Sequence, residues 1–221
     1  DLTINELYDV PLYNSENTLW GHDYFFIRDE FNSARPHIFE NNIKKIMLSF
    51  GGTDQHNLTY KVYEIIRKLC AENKIDIHIV TGPGYKNHKI LQKQIKGDTG
   101  VFLTQATGVI SNIMEKCQLA IVSNGRTVYE LAHMNIPSIV ISQHEREAEH
   151  TFALEENGFL NIGLYRKASF NNLIEKNLLK LINNKNFRHK LFLNTMKYSF
   201  QANKQKVLNS IDQLLMTKEV K

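Results

Sequence analysis

The sequence predicts an α/β fold: a Rossmann-like, doubly wound parallel sheet with helices on both faces. From residue 45 onward, short apolar runs alternate with apolar residues at helix spacing, the pattern of strands joined by crossover helices. Two of the runs end in glycine turns, Gly51-Gly52 and Ser123-Asn-Gly125, that lead at once into helical patterns. With 221 residues and 42% hydrophobic content, the chain can bury a sizeable core.

The elements follow in order. Residues 1–42 are aromatic-rich around Trp20-Gly-His-Asp-Tyr-Phe-Phe-Ile27, and Ser33-Ala-Arg-Pro36 reads as a linker, so this stretch is expected to be an interdomain crossing segment. Strands are expected at residues 45–50, 75–80, 101–104, 119–122, 138–141 and 160–162. Between the first two, Leu58, Val62, Ile65, Ile66 and Leu69 recur at helix spacing, and similar patterns fill 86–95, 110–117, 127–134 and 147–157. Residues 43–168 are therefore the expected nucleotide-binding core. From 169 to 221 the pattern is helical and free of Pro and Gly, expected to pack on the core or toward a preceding domain.

Composition excludes several classes. No run approaches the roughly 18 apolar residues of a membrane span, and the start, Asp1-Leu-Thr-Ile-Asn5, is not signal-like. No stable membrane insertion is expected, and a cytoplasmic setting is. Cys70 and Cys117 sit in helical patterns without a C-x-x-C partner, which argues for packing rather than a disulfide or zinc site. The net charge of +4 gives weak support to nucleic-acid binding, which is not expected, and suits an anionic small molecule equally well. Residue 1 opens inside a strand-like stretch, so the chain is expected to be a piece of a longer protein.

The two glycine turns carry the chemistry. A strand that turns directly into a helix presents free backbone N–H groups and a positive dipole end above the carboxyl edge of the sheet, where such folds bind ligands. Two such turns suit a phosphate chain and nucleoside held between them. In the first, Gly51 and Gly52 are backed by the Thr53 hydroxyl and by the helix start at Asn57-Leu-Thr59. In the second, Ser123, Asn124, Gly125, Arg126 and Thr127 lead to Glu130. There Thr127-x-x-Glu130 fits a capping box, and a carboxylate at that place is equally suited to the vicinal hydroxyls of a ribose. Arg126 is either a phosphate ligand or a surface side chain. Gly82-Pro-Gly84 reads mainly as a turn. No G-x-G-x-x-G or G-x-x-x-x-G-K-[ST] occurs, and no cofactor is expected.

His144-Glu-Arg-Glu-Ala-Glu-His150 lacks the His spacing of H-E-x-x-H, so no metal is expected there. It is either a helix start with solvated charges or a loop whose Gln143, His144, Glu145 and Arg146 face the sugar end of a ligand. His144 is the one candidate to exchange a proton near neutral pH. There is no G-x-S-x-G, and Ser123 has no visible base, so the catalytic residue is otherwise unassigned.

At Ile46-Met-Leu-Ser-Phe-Gly-Gly-Thr-Asp54, Ala120-Ile-Val-Ser-Asn-Gly-Arg-Thr-Val-Tyr-Glu-Leu-Ala132 and Asn135-Ile-Pro-Ser-Ile139, the chain resembles the carboxyl-terminal half of GT-B-like nucleotide-sugar proteins. The likeness is to the UDP-sugar hydrolases of pseudaminic acid synthesis and the related spore-coat polysaccharide proteins (PseG/SpsG-like). A more distant one is to the N-acetylglucosaminyltransferase of peptidoglycan synthesis (MurG). Ile4-Asn-Glu-Leu-Tyr8 and the stretch from Trp20 to Arg28 are similar to the family's passage between domains. The resemblance implies a UDP-sugar ligand: diphosphate over Gly51, Gly52 and the Asn124-Gly125-Arg126 turn, ribose at Glu130, uracil against the backbone near Ile110. It implies an amino-terminal domain, absent from this chain, that shares the catalytic cleft. Where the hydrolases carry an Asn-Gln pair this chain reads Ser142-Gln-His-Glu-Arg146, which leaves the sugar open, as it leaves hydrolase, glycosyltransferase or non-catalytic binding domain open.

Overall fold

The computed structural model describes residues 1–14, 17–105 and 108–219, with the side chains of 217–219 left aside. A small two-stranded parallel ladder, β1 (Thr3–Asn5) and β2 (Thr18–Trp20), precedes the main sheet. The main sheet comprises β3 (Lys45–Ser49), β4 (Asp76–Thr81), β5 (Val101–Gln105), β6 (Leu119–Ser123), β7 (Ser138–Ser142) and β8 (Phe159–Leu164). Every pairing in it is parallel and the strand order is β5-β4-β3-β6-β7-β8. The six expected strands are thus present, each within two residues of its expected ends.

The helices are α1 (Leu58–Glu72), α2 (His88–Gln94), α3 (Ser111–Met114), α4 (Thr127–His133), α5 (Glu145–Ala148), α6 (Phe170–Asn183), α7 (Lys185–Thr195) and α8 (Asn203–Glu219). Alternation along each strand divides the core in two. Ile46, Leu48, Ile77 and Ile79 point to the face covered by α1, α2 and α6. Met47, Val80, Ala120 and Val122 point to the face covered by α3 and α4, and there Phe25, Ile27 and Phe31 of the leading segment join the core. Phe25 stacks on Tyr129 of α4 at 4.6 Å between ring centroids. The stretch from Phe25 to Phe31 therefore packs on the α3 and α4 layer. Asn203 at the start of α8 holds it there by donating to the carbonyls of His22 and Phe25.

Two expected helices are shorter than their apolar patterns. The one at 147–157 is replaced by α5, an extended stretch and a single 3-10 turn at Glu155–Asn157. The cause is Asn124, whose amide donates to the carbonyls of Glu147 at 2.7 Å and His150 at 3.4 Å, which an extending helix would need for itself. The pattern at 110–117 yields only the single turn α3, because Lys116 and Cys117 donate three residues back and tighten the chain before β6.

Candidate functional site: a glycine-lined crevice at the strand-order reversal

After β3 the chain moves outward through β4 and β5, then returns to build β6 on the other side of β3. The loops leaving β3 and β6 therefore diverge and leave a crevice at the carboxyl edge of the sheet, the general ligand position of doubly wound folds. Both glycine turns border it. Gly51 adopts φ +74°, a left-handed conformation that glycine takes without steric cost, and a Cβ placed there would lie 3.7 Å from Ser123 Oγ. Gln143, at the end of β7, donates from Nε2 to the Phe50 carbonyl at 3.1 Å. Its Oε1 is buried without a partner, an orphan acceptor next to the end of β3. The ends of β3, β6 and β7 thus bring Gly51, Gly52, Ser123 and Gln143 together.

The β4 loop closes the other side. Gly84 N–H donates to the Gly52 carbonyl at 2.9 Å, so the segment expected to be a simple turn instead packs directly on the first glycine turn. Thr53 is exposed beside it. The start of α1 is not open to a ligand as expected from Asn57-Leu-Thr59. The Asp54 carboxylate accepts from Leu58 N–H at 2.7 Å and Thr59 N–H at 2.8 Å, and so occupies those donors itself.

In the second turn, Asn124 N–H donates to the Ile141 carbonyl and Gly125 N–H to the Ser123 carbonyl, while the Asn124 side chain faces the α5 loop. Thr127 opens α4 half-buried. The capping box does not form: α4 has no side-chain cap, and Glu130 Oε1 instead accepts from Arg28 Nε at 2.9 Å. Arg28 also reaches Glu30, which accepts from Ser111 N–H at 3.0 Å where Ile110 leads into α3. Arg126 lies largely exposed and donates from Nε to Glu6 at 2.5 Å. Glu6, Phe25, Arg28, Arg126 and Glu130 line a cavity of about 440 Å³ between the leading segment and α4. Burial pushes the Glu130 carboxyl up to about 7 against the pull of the Arg28 guanidinium.

The polar stretch after β7 behaves mostly as a helix start. His144 Nδ1 accepts from Glu147 N–H at 3.3 Å and caps α5, and Glu145 and Arg146 are exposed. His150 pairs through Nδ1 with the Asn124 carbonyl at 2.5 Å. Among the described residues, no group of three His, Cys, Asp or Glu is placed to hold a metal, and no helix is long and apolar enough to cross a membrane. Sequence reasoning missed Glu6, Arg28 and Asp54. Arg28 meets Glu130 across 102 residues, and no local periodicity signals such a pair. Asp54 followed by a helix four residues on is a legible capping signal.

No family model matches the chain. It is 27% identical over 165 residues to an uncharacterized protein of Methanocaldococcus jannaschii, covering 67% of this chain and 34% of that one. It is 25% identical over 172 residues to the spore coat polysaccharide biosynthesis protein SpsG of Bacillus subtilis, covering 74% and 50%. A Helicobacter pylori protein described as a pseudaminic acid cytidylyltransferase and UDP-2,4-diacetamido-2,4,6-trideoxy-beta-L-altropyranose hydrolase is 25% identical over 153 residues, covering 69% and 26%. The chain spans half or less of the length of these relatives. Among solved structures, Acinetobacter baumannii MurG superposes with a TM-score of 0.64 at 10% identity, covering 96% of this chain and 60% of that one. Staphylococcus aureus MnaA, solved with UDP, gives 0.63 at 15%, covering 86% and 49%. At these identities the likeness establishes the fold, a parallel α/β sheet of the kind found in GT-B glycosyltransferases.

Proposed function

We propose that this chain is the UDP-sugar-binding portion of a nucleotide-sugar hydrolase in nonulosonic acid or surface-polysaccharide synthesis. The observation that carries the reading is the crevice at the strand-order reversal, where Gly51 and Gly52 meet Ser123 and the orphan acceptor of Gln143. The diphosphate lies over Gly51, Gly52, Thr53 and the Asn124-to-Thr127 turn, the uracil near Ile110 and the ribose at Glu130. Arg28 must then share or release that carboxylate. Gln143, with His144 and Glu145 beyond it, faces the sugar. The α1 start takes no part, since Asp54 satisfies it. Supporting the nucleotide are the UDP-sugar hydrolase description of the Helicobacter pylori relative and the UDP in the MnaA structure. Residues 1–42 then cross from a preceding domain, 43–168 bind the nucleotide and 169–221 pack on the core or toward that domain. Water would be the acceptor in a hydrolase, with donors around the crevice stabilising the departing diphosphate.

Calorimetric titration of the chain with UDP, and with CDP, GDP and NAD as controls, tests the reading. Selective UDP binding is expected. Equal binding of all four, or of none, overturns it. MurG's cover of 96% of the chain keeps a glycosyltransferase as the second reading, and acceptor-dependent release of UDP by the longer protein would favour it.

A further inference from the structure

The β4–α2 connection touches the first glycine turn more closely than any side chain would permit. A Cβ built on Gly82 would lie 2.5 Å from Gly52 Cα, 2.6 Å from the Gly52 carbonyl oxygen and 2.7 Å from that of Gly51. All three are backbone atoms, which cannot swing aside as the end of a flexible side chain can. Gly82 is not among the residues with positive φ, so its backbone conformation would accept alanine, and only the approach forbids it. A Cβ on Gly84 would meet the Gly52 oxygen and Thr53 Cγ2 at 3.0 Å each, and Gly84 N–H donates to that same oxygen. Just beyond, the buried Tyr85 hydroxyl bonds the Asn57 side chain at the far end of the same loop. The 51–57 segment holds three left-handed residues, Gly51, Asp54 and Asn57, and its own bonds, from Asn57 N–H to the Asp54 carbonyl and from the α1 start to the Asp54 carboxylate, fix only its far end, which leaves Gly51 and Gly52 to the contact with the β4–α2 connection.

We infer that Gly82, supported by Gly84, is a positioning residue that sets where the Gly51-Gly52 turn stands above the crevice, and hence how its backbone meets the diphosphate of a bound nucleotide. The inference rests on the nucleotide reading above. Gly82 itself touches no ligand. It acts by letting one backbone lie against another, and a methyl group added there displaces the turn on the scale of an ångström. Charge-assisted hydrogen bonds from a fixed backbone are sensitive to that displacement.

The test compares wild type, Gly82→Ala and Gly84→Ala by calorimetric titration with UDP and by hydrogen exchange of the backbone amides at 51–57. The expected result is about tenfold weaker UDP binding in Gly82→Ala and a smaller loss in Gly84→Ala. Exchange should be faster at 51–54 in Gly82→Ala, with the amides of β6 and α4 unchanged. Should Gly82→Ala fail to fold, Gly84→Ala alone decides, by the same two readouts. Wild-type UDP affinity in a folded variant overturns the inference. If wild type binds no UDP, the nucleotide reading fails instead, and unchanged exchange at 51–54 would overturn the positioning role separately.

Discussion

Glu130 and Arg28, 102 residues apart, meet through two contacts of 2.9 Å, from Nε and from Nη2 of the guanidinium to the same Oε1. The pair fastens the leading segment to the first turn of α4 and closes one side of the cavity. The carboxylate is buried, whereas the guanidinium is about half exposed. Desolvation therefore falls mainly on the acid, and its pKa rises despite the partner.

A pH dependence of stability follows. An acid raised from 4.5 in the unfolded chain to about 7 in the folded one binds extra protons in the native state between those values. Its contribution is fully present below about 4.5 and is lost as pH rises through 7, an effect of up to about 3 kcal/mol. Urea unfolding of wild type and Glu130→Gln at pH 5 and pH 8 checks it. Wild type should lose stability relative to the variant on going to pH 8, and parallel pH profiles would remove Glu130 as the cause.

Ligand binding should show the opposite trend. An ionised Glu130 can accept two hydroxyl hydrogens, while the protonated acid offers one fewer acceptor. UDP affinity of the wild type is expected to rise between pH 6 and pH 8. Glu130→Gln should bind about 1–2 kcal/mol more weakly at pH 8, with a flat profile. Unchanged affinity in the variant would leave Glu130 as a fastening residue only.

Asp54 tests a different kind of contact. Its two carboxylate oxygens each take one N–H at the start of α1, and the residue is 4% exposed. Asp54→Ala should cost about 1–2 kcal/mol in chemical denaturation, the range of a lost helix cap. No change in midpoint would mean that water or the neighbouring loop replaces the cap.

The strands were legible because burial on both sides writes itself as near-continuous apolar runs such as Ile46-Met-Leu48 and Leu119-Ala-Ile-Val122. Glycine turns mark the ends of β3, β4 and β6 with equal clarity. Apart from Asp54, the polar contacts of the site were not legible. Asn124 reads locally as part of an anion-binding turn, yet its amide serves the α5 loop, and that choice decides where the helix after β7 stops. Thr127 and Glu130 have capping-box spacing, but a guanidinium from the leading segment is the stronger partner for the carboxylate. Periodicity reports burial, and it carries no record of pairs made across a hundred residues.

The leading segment provides the last prediction. Its sequence reads as a crossing segment with a linker at Ser33-Ala-Arg-Pro36, and within it Phe31 is fully buried and Phe25 and Ile27 are nearly so, on the face shared with Met114, Val128 and Leu131. Removing the Phe31 ring leaves a cavity between the leading segment and α3 and α4. Phe31→Ala should therefore cost about 3–5 kcal/mol, as large-to-small changes in a packed core do. Ile38, 82% exposed in the same segment, should tolerate alanine within about 0.5 kcal/mol. Urea midpoints of the two variants measured side by side decide the matter. A small effect at Phe31 would mean that residues 1–42 detach from the sheet before it unfolds, and the wall they form beside Glu130 would then open without global unfolding.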